Sequence, residues 1–158
     1  DVLRWHVDQQ PTDAFIEALF EMREIIEPAA AERTAERATP EEVERIGIAM
    51  KGIEENARGS DEQIKADVGF HMGILEGSHN PIIRSLGALI ESALEISFSL
   101  SWRAAMRADA VYQHRVIFEA IRDHRADDAF LAMRKLLRNS KGDVFDAIWS
   151  SRNEPKPE

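Results

Sequence analysis

Helical periodicity runs through almost the whole chain, and this feature constrains the fold most. Apolar side chains recur at intervals of three and four residues, and no stretch shows the sustained alternation of a half-buried strand. Helix starts are also visible: Thr39-Pro40-Glu41-Glu42 has the residues of a capping box with proline at the first helical position, and Ser60 with Gln63 repeats the box. We therefore predict an all-α protein, an antiparallel bundle of about six helices.

The same patterns give approximate bounds for the helices. The predicted helices cover Asp13–Arg37, Pro40–Arg58, Asp61–Ser78, Pro81–Leu100, Asp109–His124 and Asp127–Trp149. Residues 13–150 then form one domain, which suits a chain of 158 residues, and residues 151–158 form a polar tail.

Composition excludes several classes of function. The chain has 20 Lys and Arg against 29 Asp and Glu, a net charge of −9, which argues against its gripping a phosphate backbone by itself. It has no cysteine, so disulfides, thiolate nucleophiles and thiolate metal sites are excluded. No apolar run is long enough to cross a membrane, and no signal-peptide pattern opens the chain. We expect a soluble, cytoplasmic protein.

Two histidines and one aspartate break the apolar pattern of their helices. Asp67 and His71 are one turn apart on the third predicted helix, and His71 shares its stripe with apolar residues. His114 lies in the same way on the apolar stripe of the fifth. Imidazole nitrogen and carboxylate oxygen suit zinc, nickel, manganese or iron, so the three residues are a candidate divalent-metal site in an interior cavity. Core histidines satisfied by hydrogen bonds are the alternative interpretation.

Three other polar residues lie on inward stripes. Arg23 lies among the apolar residues of the first helix, where a guanidinium must be paired or face a polar cavity. It is a candidate anion-binding residue, and an internal salt bridge with Glu27 is the alternative. Ser97 and Ser101 on the fourth helix are candidates for hydrogen bonds to a hydroxylated ligand, or they bond to their own helix backbone.

Several segments resemble a known family. They are Leu19 to Ala29 (LFEMREIIEPA), Ala35 to Pro40 (AERATP), Asp67 to His71 (DVGFH) with His79-Asn80-Pro81, and His114 to Ile121 (HRVIFEAI). Together they are similar to the FCD-type effector-binding domain of the FadR subfamily of GntR transcription regulators, and the opening Asp1 to Trp5 (DVLRW) is similar to a stretch of galactonate-operon repressors.

This resemblance implies a regulator that senses a small carboxylate. It implies a homodimer in which Asp67, His71 and His114 hold a divalent metal and Arg23 pairs with an anionic effector, a sugar acid before a lactate-sized acid. It also implies that residues 1–12 are a linker from a winged-helix DNA-binding domain preceding Asp1. Operator DNA would be bound only by that winged-helix domain. Many family members have a further histidine at the position of Leu136. Its loss leaves three protein ligands, so that an anionic ligand completes the metal's shell or the pocket works without metal.

Two other functions compete with a ligand sensor. A small helical metalloenzyme would use the two histidines and the carboxylate with open metal positions, but the sequence offers no evident general base beside them. A purely structural dimerisation bundle would use Arg23, His71 and His114 for internal hydrogen bonds. We predict that the chain is not an enzyme.

Overall fold

The computed structural model describes residues 12–87, 89–92, 95 and 109–153, and within these ranges every regular element is a helix. The labelled helices are α1 (Asp13–Arg37), α2 (Pro40–Glu55), α3 (Asp61–Gly77), α4 (Pro81–Ser85), α5 (Ala110–Arg122) and α6 (Ala126–Asn153). The prediction of an all-α fold is confirmed. None of the helices in the described ranges combines the length and the apolarity that a membrane crossing needs.

Helices α2 and α3 begin at residues whose side chains cap them. The Thr39 hydroxyl accepts a hydrogen bond from the Glu42 amide at 3.3 Å, and the Glu42 carboxylate accepts one from the Thr39 amide at 2.8 Å. The predicted capping box is therefore formed. Ser60 caps α3 by accepting from the Gln63 amide. These bonds satisfy amides that have no partner inside the helix.

Several predicted helix ends differ from the structure, and two of these differences have a local cause. Helix α2 ends at Glu55 because Asn56 is extended and its side chain donates to the Gly52 carbonyl at 2.8 Å. The apolar stretch from Pro81 to Leu100 is broken at Leu86, where the chain turns. The next residue, Gly87, lies so close to α3 that an added Cβ would be 2.8 Å from the Met72 methyl. Glycine there permits the contact and weakens the helix.

The helices pack around a main apolar core and smaller apolar clusters beside it. Helices α1 and α6 are antiparallel, because Ile16 and Phe20 near the start of α1 contact Val144 and Ile148 near the end of α6. Helix α6 continues to Asn153, three residues into the predicted tail. The main core contains these fully buried side chains: Ile46, Phe70, Ile74, Leu75, Ile117, Ile121, Met133 and Leu137.

Helices α1 and α3 approach each other closely, and this contact positions the site. The Thr34 hydroxyl on α1 donates to the Ile74 carbonyl on α3 at 2.6 Å. A Cβ on Gly77 would lie 2.7 Å from the Thr34 methyl, so only glycine fits there without movement. Two turns before Thr34, the same pairing of helices brings Glu27 beside His71.

Candidate metal centre

Asp67, His71 and His114 converge in the interior. Helix α3 supplies the aspartate and the first histidine, and α5 supplies the second. The Asp67 Oδ1 atom lies 3.0 Å from His114 Nε2 and 3.4 Å from His71 Nε2. All three side chains are buried, and one ligand atom from each lies within 4.8 Å of the others. Two helices that are far apart in sequence thus present three donor atoms to one point.

The outer nitrogens of both imidazoles are held by acceptors. His114 Nδ1 lies 2.8 Å from the Ala110 carbonyl oxygen, and His71 Nδ1 lies 2.6 Å from Glu27 Oε2. Both inner nitrogens face the Asp67 carboxylate, which is also an acceptor. A neutral imidazole carries a single N–H and cannot donate on both sides. For His71, a proton or a metal ion must therefore lie between Nε2 and Asp67.

The distances from the Asp67 oxygen to the two histidine nitrogens fit ligands of one metal ion. Two ligands about 2.1 Å from a common metal at angles of roughly 90° to 110° are about 3.0–3.4 Å apart, which is the range of the two Asp67 distances. The Phe70 ring packs edge-on against both imidazoles, with centroid distances of 5.8 Å and 5.3 Å, and provides an apolar wall. The nitrogen and oxygen donors suit zinc, nickel or manganese.

Arg23 is buried and paired with Glu27. Its Nε donates to Glu27 Oε1 at 2.6 Å, and its Nη2 lies 3.5 Å from Oε2. The internal salt bridge that the sequence left as the alternative is therefore formed. Because Nε and Nη2 form the side edge of the guanidinium, the pairing with Glu27 uses that edge and leaves Nη1 outside it.

Sequence reasoning missed Glu27 as a site residue and weighed it only as a partner for Arg23. Its carboxylate, 1% exposed, joins that arginine to His71, so that ionisable side chains form one chain through α1, α3 and α5. The available signal was its position four residues after Arg23, one helical turn along the same face. The contact with a histidine 44 residues away was not visible in the sequence.

Electrostatic pairing overrides burial in this chain of charges. Burial alone would raise the pKa of Glu27, but the charges of Arg23 and His71 lower it to about 2. Burial would likewise raise the pKa of Asp67, and the two histidines hold it well below its usual range. Burial would lower the pKa of His71, but Glu27 and Asp67 raise it to about 9. Both carboxylates are therefore ionised at neutral pH, and without metal His71 is protonated.

The remaining positions singled out in the sequence add no contacts to this site. Ser97 and Ser101 lie outside the described residues. Leu136, at the position of the family's further histidine, is buried in the main apolar core on α6. Among the residues that the structure describes, the one group of three or more side chains with metal-ligand geometry is Asp67, His71 and His114.

A comparison with known families assigns most of this chain to a described domain. The family model of the FCD domain matches residues 18–139, a range that includes Arg23, Glu27 and all three candidate ligands. The chain belongs to the FCD domain family. The resemblance inferred from the sequence is confirmed.

Individual relatives of this FCD domain are bacterial regulators. The galactonate operon transcriptional repressor of Escherichia coli K12 is 30% identical over 142 residues, covering 89% of this chain and 62% of the relative. The HTH-type transcriptional repressor NanR of the same strain is 28% identical over 142 residues, covering 86% and 52%. A solved structure of Streptococcus agalactiae GntR superposes with a TM-score of 0.73 at 28% identity, covering 84% and 61%.

The FCD domain spans between half and two thirds of the length of these relatives. The curated relatives are transcriptional repressors, which confirms the prediction that the chain is not an enzyme.

Proposed function

We propose that this FCD domain is the effector-sensing part of a GntR-type transcriptional repressor and that it binds a small hydroxylated carboxylate at a divalent metal. A sugar acid is the first choice of effector. The observation that carries the proposal is the convergence of two buried imidazoles and one carboxylate on a single point, with both outer nitrogens already held by acceptors. The names of the relatives support the repressor role and the sugar-acid class.

The charge balance of the site favours an anionic effector. A bound divalent ion would supply positive charge and open positions for carboxylate and hydroxyl oxygens. Arg23 and Glu27 neutralise each other, and the imidazoles of ligating histidines are neutral. The single negative charge of Asp67 then offsets one of the two positive charges of the metal ion. A bound monocarboxylate would offset the other and make the interior neutral. A neutral sugar offers no such compensation.

Protein groups beside the metal site are proposed to select the effector. Arg23 is proposed to hold the carboxylate of the effector, since a guanidinium can bind a carboxylate through two parallel hydrogen bonds. Ser97 and Ser101 are proposed to bond to its hydroxyl groups. The effector is proposed to act on operator DNA through a separate winged-helix domain in a homodimer. Coupling of this kind is typically worth 1–3 kcal/mol, or about 5- to 150-fold in operator affinity.

Metal analysis with thermal-shift measurements tests the proposal. The purified domain is expected to bind about one divalent ion, and alanine at either His71 or His114 should abolish stoichiometric binding because two ligands hold such an ion poorly. His79→Asn is the matched control, since His79 is an exposed histidine bonded to Glu42 and has a positive φ of 54° that asparagine tolerates. Unchanged metal content in both alanine variants would place the metal elsewhere.

A ligand panel tests the effector class. Aldonates are expected to raise the melting temperature of the zinc-loaded domain, and the corresponding neutral sugars should have little effect because they bring no negative charge. The effect of the acids should be lost in the His71→Ala and His114→Ala variants. Neutral sugars that stabilise the domain as much as the acids would contradict the proposal.

A further inference from the structure

The Glu27 carboxylate divides its two oxygens between two buried partners. Oε1 accepts from Arg23 Nε at 2.6 Å, and Oε2 lies 2.6 Å from His71 Nδ1. Arg23 and His71 are each 3% exposed, so water does not replace either contact. Glu27 is on α1, whereas the ligand that it touches is on α3. The two candidate histidines therefore differ, because His114 is held by the backbone of its own helix and His71 by a side chain from another.

We propose that the Arg23–Glu27 pair is a positioning device that fixes which nitrogen of His71 is offered to a metal. The inference rests on the proposed function and adds two positioning residues to it. A carboxylate has no hydrogen to donate, so a neutral His71 must carry its proton on Nδ1. The lone pair is then on Nε2, the nitrogen that faces Asp67. Acceptors that orient a ligating histidine in this way typically change metal affinity about 10- to 100-fold.

Arg23 makes the choice of tautomer strict. A guanidinium only donates hydrogen bonds, so residue 27 must turn an acceptor towards it. Glutamine at position 27 has nearly the same shape as glutamate but only one acceptor oxygen. That oxygen would face Arg23, and the amide NH2 would face His71 Nδ1. The imidazole would then accept at Nδ1 and carry its proton on Nε2, where an N–H cannot ligate a metal.

Removing the arginine should reverse this effect. In the double variant Arg23→Met/Glu27→Gln no donor holds the glutamine oxygen, and the amide is free to rotate by 180°. Its oxygen then accepts from His71 Nδ1–H, as the carboxylate does in the wild type. A second substitution at a residue that does not contact His71 should thus restore metal binding. If the pair had only a structural role, the double variant should bind metal no better than Glu27→Gln, because it lacks both members of the pair.

Zinc titration by calorimetry on the wild type and three variants tests the inference. We expect Glu27→Gln to weaken zinc affinity about 10- to 100-fold and the double variant to recover most of the loss. Glu21→Gln, the same change at an exposed position of α1, should leave affinity unchanged. Melting curves confirm that each variant is folded. Wild-type affinity in Glu27→Gln, or a folded double variant that binds as weakly as the single one, would overturn the inference.

A measurement on the wild type keeps the inference testable even if the variants do not fold. The ¹⁵N spectrum of the zinc-loaded domain should show His71 protonated at Nδ1 and bound through Nε2. Zinc bound through Nδ1 would overturn the inference and leave the proposed function intact. A wild-type domain that binds no zinc would overturn both.

Discussion

Metal uptake by this domain should be steeply pH-dependent, because a metal and a proton compete for His71. Glu27 and Asp67 raise the pKa of His71 to about 9 against the lowering effect of burial, compared with an ordinary value of 6.5. The metal-free histidine is therefore protonated at pH 7 and must lose a proton to become a ligand. Competition by one proton weakens the apparent affinity about tenfold for each pH unit below the pKa. We expect an approximately 100-fold gain in zinc affinity between pH 6 and pH 8.

Calorimetric titration at several pH values measures this gain. Repeating the titration in buffers with different ionisation enthalpies counts the protons released, and we expect at least one for each zinc bound. The His79→Asn variant is the control, because it removes an exposed histidine that contacts no candidate ligand and should change neither quantity. A zinc affinity that stays constant from pH 6 to pH 8, or a titration that releases no proton, would refute the reasoning.

The same groups determine how the stability of the metal-free domain varies with pH. The raised pKa of His71 contributes stability that is fully present below about pH 6.5 and is lost as the pH rises through about 9. The lowered pKa of Glu27 contributes stability that is present above about pH 4.5 and is lost as the pH falls towards 2. From the contributions of His71 and Glu27 alone, the metal-free domain is most stable between about pH 4.5 and 6.5. The rise in melting temperature on adding zinc should therefore increase from pH 6 to pH 8.

Two further predictions concern packing and buried charge. Gly52→Ala would place a Cβ 2.7 Å from the Ala66 Cβ and should lower the free energy of unfolding by about 1–3 kcal/mol. Gly142→Ala, whose added Cβ would have nothing within 4 Å, should raise it by up to about 1 kcal/mol. Urea unfolding in which both variants change the free energy of unfolding in the same direction would contradict this. Asp67→Leu should destabilise the metal-free domain by about 3–5 kcal/mol, because it leaves two buried imidazoles without their acceptor. Replacing His71 and His114 by leucine as well should recover much of that free energy of unfolding. A triple variant less stable than Asp67→Leu would contradict this and show that the three polar side chains stabilise the fold.

Much of the fold was predictable because its determinants are local. The bounds Asp13–Arg37 follow from periodicity and from Thr12, which caps α1. The box around Thr39 needs residues only three positions apart. The break at Leu86 was not predictable, because it coincides with the contact of Gly87 with Met72 on another helix. An apolar run predicts that a segment is buried and does not show which neighbour interrupts it.

The candidate site was predictable to the extent that it obeys the same periodicity. His71 and His114 are polar residues on apolar stripes, and a buried polar group needs a partner, so their convergence with Asp67 was a reasonable expectation. Glu27 was different. Its pairing with Arg23 follows from their spacing, but its contact with His71 depends on how closely α1 and α3 pack, which Thr34 and Gly77 determine.

The connected buried ionisable side chains are more consistent with reversible binding than with a purely stabilising role. Buried ion pairs rarely add net stability compared with apolar packing, so stability alone does not explain five ionisable side chains that join three helices. Without metal, the positive charges of His71 and Arg23 together balance the carboxylates of Glu27 and Asp67, and no buried side-chain polar atom in the described residues lacks a partner. We therefore expect the fold to form without a metal ion, unlike that of a small zinc-dependent domain. A site that exchanges a proton for a metal while its helices remain packed can be filled and emptied without unfolding, as reversible binding of an effector requires.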